Sequence, residues 1–165
     1  MERLKRLHES AIERAFEKAK HYRLLNDPEN AESICLDILE VEENNQEAII
    51  VLILAIVDQF DGGSNRVKDS ESYVNRLTDE FHRCYYTGII RERFARSVLK
   101  RGRPGAAHVA YDYFKAAMEH FEKAESLSDD QNDDAILRWN GCARTINTKK
   151  LEPLQDDNFV AYGDG

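Results

Sequence analysis

Residues 48–57 read Ala-Ile-Ile-Val-Leu-Ile-Leu-Ala-Ile-Val, ten apolar side chains in succession with no polar face. Such a run has no diagnostic period: its β-branched members suit a buried strand, and a helix enclosed on every side reads the same way. The flanks favour the helix. Asn44 and Glu47 precede the run and can form a reciprocal cap, the glutamate returning to the backbone N–H of the cap residue. No second stretch offers a strand for it to pair with, so the expected fold class is all-α.

The helical period continues on both sides. Upstream, Leu4, Leu7, Ala11, Ala15, Ala19 and Tyr22 recur every three or four residues, which predicts a first helix stopping near Leu25. Asn26-Asp27-Pro28 then reads as a turn, with Asp27 as N-cap and Pro28 at the first helical position, where a missing N–H costs nothing. Ala31, Ile34, Cys35, Ile38, Leu39 and Val41 form the stripe of a second helix. Beyond Gly62-Gly63-Ser64-Asn65, Tyr73, Leu77, Phe81 and Cys84 predict a fourth helix, and Tyr86, Ile90, Phe94 and Val98 a fifth. Tyr85 to Gly88 leaves open whether those two are separate or continuous. Gly102 to Gly105, with Pro104 inside, closes the fifth. Ala107, Ala110, Phe114, Ala117, Phe121 and Ala124 mark a sixth helix, and Ile136, Trp139, Ala143 and Ile146 a seventh. From Thr148 onward Pro153, Asp156-Asp157, Gly163 and Gly165 suggest an extended tail over 148–165.

Composition narrows the function. The 165 residues carry 23 Lys+Arg against 31 Asp+Glu, a net charge of −8, and no run of 18 apolar residues occurs. The Met-Glu-Arg-Leu-Lys-Arg start lacks the apolar stretch of a signal peptide, so the expectation is a cytoplasmic protein with no membrane span. Cys35, Cys84 and Cys142 match neither a disulfide framework nor zinc pairs and fall on apolar stripes, which predicts reduced thiols in helix cores. Charge is polarised along the chain. Residues 24–65 hold ten acidic side chains and no basic one, whereas residues 91–103 hold six basic against one acidic. The acidic balance disfavours nucleic-acid binding, which needs a basic face.

An internal period is visible. Ala31, Cys35 and Ile38 share the spacing of Ala117, Phe121 and Ala124, and eight residues after the middle member come Glu43 and Asp129, each opening a turn. This spacing resembles the second helix of a tetratricopeptide repeat (TPR): a small residue, three others, an aromatic, then a helix-ending position. Setting Ala31 at the small position makes residues 12–45 one 34-residue unit, with Ala19 at the close-packing position of its first helix. The next unit then begins at Gln46 and places Ile49, Leu52, Ile53 and Ile56 inward without a shift. The resemblance is degenerate, since the usual helix-ending Pro is lacking and Ala15 stands where a large aromatic is usual. An insertion of about 18 residues must lie between Phe60 and Gly105 for both matches to hold. Two registers fit the last helix, one using Gly141 as the repeat's Gly, the other turning Ile136, Trp139 and Ala143 inward. The resemblance implies a TPR-like antiparallel helix-pair superhelix of about three and a half pairs over residues 1–147, irregular over about 61–105.

It also implies a concave groove lined by the first helix of each pair, where similar proteins bind partner segments. In this register the groove would present Phe16, Lys20 and Arg23 from the first helix, and Ile50, Leu54, Val57 and Asp58 from the third. Covering three apolar side chains such as Ile50, Leu54 and Val57 is worth about 1.5–3 kcal/mol each. Something is therefore expected on that face: a partner helix, a second copy of the chain, or the tail with Phe159, Val160 and Tyr162. The competing expectation is that residues 61–105 fold back and make this an ordinary central helix. In the basic segment, Arg93, Arg96 and Lys100 fall on one side of a helix, either as a docking patch for an acidic segment or RNA, or as a solvated face stabilising the helix C-terminus.

Catalytic signals are sparse. No Gly-rich phosphate loop, HExxH or G-x-S-x-G occurs, and Asp79 with His82 has no second carboxylate/His pair to complete a metal site in a bundle. No cofactor and no metal site is expected. The reading is a non-catalytic interaction module, an adaptor, assembly factor or complex subunit, whose partner is another protein or peptide or a second copy of itself; the alternative is a helical-bundle metal-binding protein or enzyme.

Overall fold

The computed structural model describes residues 1–62 and 66–155. Seven α-helices account for most of them: α1 (Ile12–Leu24), α2 (Pro28–Leu39), α3 (Gln46–Val57), α4 (Val67–Val74), α5 (Glu80–Arg101), α6 (Ala106–Ser126) and α7 (Asp134–Lys149). No strand occurs among the described residues. The all-α expectation therefore holds.

The apolar run is helix α3, and it sits at the centre. Ala48, Ile49, Val51, Leu52, Ile53, Ala55, Ile56 and Val57 are all buried, which requires neighbours on nearly every side. Helices α1, α2, α4 and α5 supply them. The cap differs from the expected one by a residue: Asn45, not Asn44, accepts from the Ala48 amide at 2.9 Å. Its own amide donates back to Glu42 at 2.7 Å, and Glu47 stays exposed with no role in the cap. Asp27 and Pro28 open α2 as expected, with Asp27 accepting from the Asn30 amide at 3.3 Å.

Two boundaries differ from expectation. The first helix begins at Ile12 after a 3-10 turn at Glu9–Ala11, and Leu4 is 83% exposed. Its spacing continues the stripe of the first helix, but the side chain lies at the surface, and Arg6 donates to the Glu40 carbonyl of the turn after α2 at 3.0 Å. The break between the fourth and fifth helices falls at Asn75–Asp79 rather than Tyr85–Gly88, because Asp79 caps α5 by accepting from the His82 amide at 2.9 Å. Phe81, Cys84 and Tyr86 thus belong to one long helix with Ile90 and Val98. Val57, expected to be surface-facing, is 2% exposed. The fold-back of residues 61–105, in the form of α4 and α5, covers it.

The long α5/α6 hairpin is the thickest part of the packing. It stops cleanly at Gly102, which takes a left-handed φ of 62° that other residues adopt at a cost, and Gly105 likewise opens α6 at φ 80°. Within the hairpin Gly88 faces Phe121 so closely that a Cβ there would stand 2.5 Å from the ring. Phe114, Ala117, Phe121 and Ala124 of α6 are fully buried, as the apolar stripe of that helix predicts. In helix α7 Ala135 and Cys142 go deepest, while Ile136, Trp139, Ala143 and Ile146 are half-buried. It runs to Lys149, past the expected boundary at 147, and Leu151 is buried behind it. Phe159, Val160 and Tyr162, like Gly63 to Asn65, lie outside the described residues.

Helix α4 is short, eight residues, and charged contacts fix it. Arg66, just before it, grips Glu32 of α2 through two N–H donors at 2.8 and 2.6 Å, with Gln59 donating to the same carboxylate at 2.6 Å. At its other end Glu71 pairs with Arg91 of α5. The Arg66 hydrogen bonds hold the Glu32 pKa below the ordinary glutamate value, outweighing the upward push of burial.

Gly88→Ala tests the hairpin contact. The intrinsic helix gain of roughly 1 kcal/mol is smaller than the strain of pushing a buried ring, typically about 1–3 kcal/mol, so urea unfolding should show a net loss. Phe121→Leu in that background should recover part of it. Glu32→Gln tests the α2–α4 clamp. Because the folded-state pKa is depressed, the carboxylate stabilises the fold above its unfolded-state pKa and loses that contribution as pH falls through the folded one. The stability gap between wild type and Glu32→Gln should therefore be largest near neutral pH and close in acid.

Candidate functional site

Helix contacts divide the chain into two sets. Helices α1, α3, α5 and α7 touch in series, α1 to α3, α3 to α5 and α5 to α7, while α2, α4 and α6 pack mainly between their sequence neighbours. The residues expected to bind a partner belong to α1, to α3 with its C-cap, and to α5, three of these odd-numbered helices.

On α1, Phe16 is half-buried, Lys20 lies over its ring at 4.7 Å and pairs with Glu17 at 2.6 Å, and Arg23 reaches α3. Beyond its first residue, Gln46, the members of α3 that escape full burial are Glu47, Ile50 and Leu54, and with the C-cap Asp58 they follow at spacings of three, four and four, so they form one strip along the helix. Ile50 and Leu54 are the apolar part of this strip. Val57 belongs to the core instead.

Asp58, at the C-cap of α3, accepts from Arg23 Nε at 2.8 Å and from Arg93 Nη2 at 3.3 Å. A single carboxylate thus ties α1, α3 and α5. A second cluster of the same composition lies where α5 meets α7. Glu92 is only 3% exposed, and its Oε1 accepts from Arg96 Nε and Nη2 at 3.1 and 2.8 Å. Arg138 Nη1 stands 3.6 Å from its Oε2, an electrostatic contact outside hydrogen-bonding range, and that oxygen has no hydrogen-bond partner among the described residues. Arg96 also donates to Thr145 of α7 at 3.2 Å. On α5, Tyr86 is half-buried and burial pushes its hydroxyl up to about 12; Tyr85 and Asp134 add to the rise, and Arg23 and Arg138 oppose it. Arginines from the first and last helices therefore act on one ring.

The basic segment is thus not one uniform patch. Arg93 faces Asp58, Arg96 faces Glu92, and Lys100 faces Asp61 at 2.9 Å, while Arg101 donates to the Phe60 carbonyl at 2.6 Å. Arg93 and Arg96 reach the α3 C-cap and α7, whereas Lys100 serves the contact with the 3-10 turn at Phe60–Gly62. The sequence alone singled out neither Glu92 nor Arg138. Glu92 was the sole acid inside a run of basic residues, a signal that could have marked it as their buried counter-ion.

Groups with reactive potential are quiet. Asp79 is used as a helix cap, with His82 Nδ1 4.0 Å from its carboxylate. Among the described residues no three His, Cys, Asp or Glu side chains gather as metal ligands, and no helix is long and apolar enough to cross a membrane. All three cysteines are buried, and burial pushes Cys35 and Cys142 up to about 12, so at neutral pH they are thiols, not nucleophilic thiolates. An open cleft of about 420 Å³ lies between α1 and α2, lined by Leu7, Arg14, Ala15, Lys18, Tyr22 and Ile34.

Glu92→Gln tests how far the contact between α5 and α7 depends on its buried carboxylate. Loss of charge-assisted bonds to arginine should lower unfolding free energy by about 1.5–3 kcal/mol in chemical denaturation. Glu17→Gln, which breaks an exposed pair within α1, should change it by about 0.5 kcal/mol or less. Comparison of the chain with protein-family models, curated proteins and solved structures returned no match, so the functional reading rests on the chain's own chemistry.

Proposed function

We propose that the protein is a non-catalytic interaction module, TPR-like in the arrangement of its helix pairs, that seats a segment of another protein on the face formed by α1, α3, α5 and α7. The observation that carries this reading is the strip on α3. A helix buried around nearly all its circumference leaves one apolar line, Ile50 and Leu54, half-covered. That line falls in the middle of the odd-helix face, flanked by Phe16 and Arg23 on one side and Arg93 on the other. Large apolar side chains in such a position gain about 1.5–3 kcal/mol on full burial, which a partner segment would supply.

The helix-pair reading has its own support. Serial contact of the odd-numbered helices is the pattern in which one helix of each pair lines a common surface. Ala19, Ala31, Ala117 and Ala124 are fully buried, as the close approach of paired helices requires. Within this reading Phe16, Lys20, Arg23, Ile50, Leu54 and Asp58 are the partner-contacting set, with Arg93 and Arg96 as its charged margin.

The test is Leu54→Glu, with the milder Leu54→Ser beside it, in cross-linking and affinity capture from the source cells. Both variants should keep the helical circular dichroism of wild type and lose the captured partners. Leu36→Glu, on the exposed side of α2, should capture as wild type does. Folded Leu54 variants that retain every partner would exclude the face as the binding surface.

A further inference from the structure

The two charged clusters on this face share a stoichiometry, two arginines to one carboxylate: Arg23 and Arg93 on Asp58, Arg96 and Arg138 on Glu92. Each therefore keeps a surplus positive charge in a chain of net charge −8. Asp58 and Glu92 lie deeper than their partners, with side chains 19% and 4% exposed against 38–42% for Arg93, Arg96 and Arg138. The carboxylates sit beneath and the guanidinium groups lie toward solvent. A guanidinium has five N–H donors in a fixed fork, and Arg93 gives Asp58 one of them. Hydrogen-bonded from below, Arg23, Arg93 and Arg96 have their forks oriented before a ligand arrives, so little side-chain entropy is left to lose, and Arg138 adds charge at 3.6 Å.

We infer that the partner segment is an acidic peptide carrying an apolar side chain, whose carboxylates bridge the Asp58 and Glu92 arginine clusters while its apolar residue covers Ile50 and Leu54. This rests on the functional reading above and adds the chemistry of the ligand. Charge complementarity selects the sign. The surplus is local: Glu17 pairs with Lys20 on α1, and Glu47 is exposed at the N-terminal end of the α3 strip. A long polyanion would therefore meet acidic groups on the face, whereas a short run of carboxylates beside an apolar anchor can lie on the two clusters and stop short of Glu47. The occupant is accordingly a peptide and not a nucleic acid.

The experiment titrates the full chain with two fluorescein-labelled probes, a short peptide of Glu and Leu and one in which every Glu is replaced by Lys, and with a single-stranded oligonucleotide. The Glu/Leu peptide should bind, with affinity falling as salt is raised. The Lys peptide and the oligonucleotide should not. Arg93→Gln and Arg138→Gln should each weaken binding roughly tenfold, the loss of a charge-assisted contact. Arg93→Lys should be intermediate, and Arg14→Gln, in the cleft between α1 and α2, should match wild type. Thermal melts monitor folding, and Leu54→Ser reports on the apolar half of the contact.

Equal binding of the oligonucleotide overturns the assignment to peptide. If the peptide binds through Leu54 with no effect of salt or of folded Arg93→Gln and Arg138→Gln, the arginine clusters are structural ties only. The ligand inference then falls while the face remains the binding surface. Failure of the Glu/Leu peptide to bind, while Leu54 variants still lose captured partners, has the same meaning. Arginine-dependent binding that ignores Leu54→Ser overturns both readings, since the apolar strip would then have no part in recognition.

Discussion

A helix without a polar face has to be enclosed, and the structure is arranged around that requirement. Helix α3 cannot lie at a surface, because each exposed large aliphatic side chain forgoes about 1.5–3 kcal/mol. Two helices from before it in sequence and two from after it close around it. The short α4 and the long α5 follow from this, since the chain must return across α3 before the second hairpin can form. Closure is incomplete along one line, Ile50 and Leu54, and that line coincides with the face where the odd-numbered helices meet.

The polarised charge of the sequence has a structural explanation in the same enclosure. The acidic stretch 24–65 includes α3 and the turn after it, and the basic stretch 91–103 is the second half of α5, which packs on that turn. Asp58 with Arg93, Asp61 with Lys100, and the Phe60 carbonyl with Arg101 join the two. Segments that look like opposed docking patches in one dimension thus meet in three, through two of the ten acids, while Arg91 and Arg96 find their counter-charges in Glu71 and Glu92 outside the acidic stretch. Most of the remaining acids, Glu29, Glu40, Glu42, Glu43 and Glu47 among them, face solvent.

Helix identity was largely legible in the chain, and helix ends less so. The period of the apolar residues, the Asp27-Pro28 start of α2, the Gly102 stop of α5 and the burial of Ala31, Phe121 and Cys142 are local consequences of side-chain chemistry. Asn44 and Asn45 are chemically identical caps, so the choice between them depends on the loop geometry and on Glu42. The break before α5 was missed because Asp79 was weighed as a metal ligand rather than as a cap. The start of α1 was misplaced because Leu4 has the right spacing but stays exposed, beside the polar Asp37 and Glu40 of the second helix and its cap. Of the residues expected on a groove or patch, Phe16, Lys20, Arg23, Ile50, Leu54, Asp58, Arg93 and Arg96 keep at least part of their side chains open to solvent. Val57 was wrongly included, since the covering by residues 61–105 cannot be read from α3 itself.

By itself the sequence determined that the protein is all-helical, that α3 must be covered on nearly every side, and that its cysteines are buried, because each of these follows from local periodicity and the cost of exposing apolar surface; that residues 61–105 fold back to do the covering was one of two open expectations until the helices were packed. Only the tertiary structure decided which charges meet. Glu92 and Arg138 are 46 positions apart in the chain, and nothing in the spacing of either residue points to the other. Their pairing exists because α5 and α7 come to lie side by side. The depth of a carboxylate beneath two guanidinium groups, which gives the face its sign, is a property of packed helices and not of any segment of the chain.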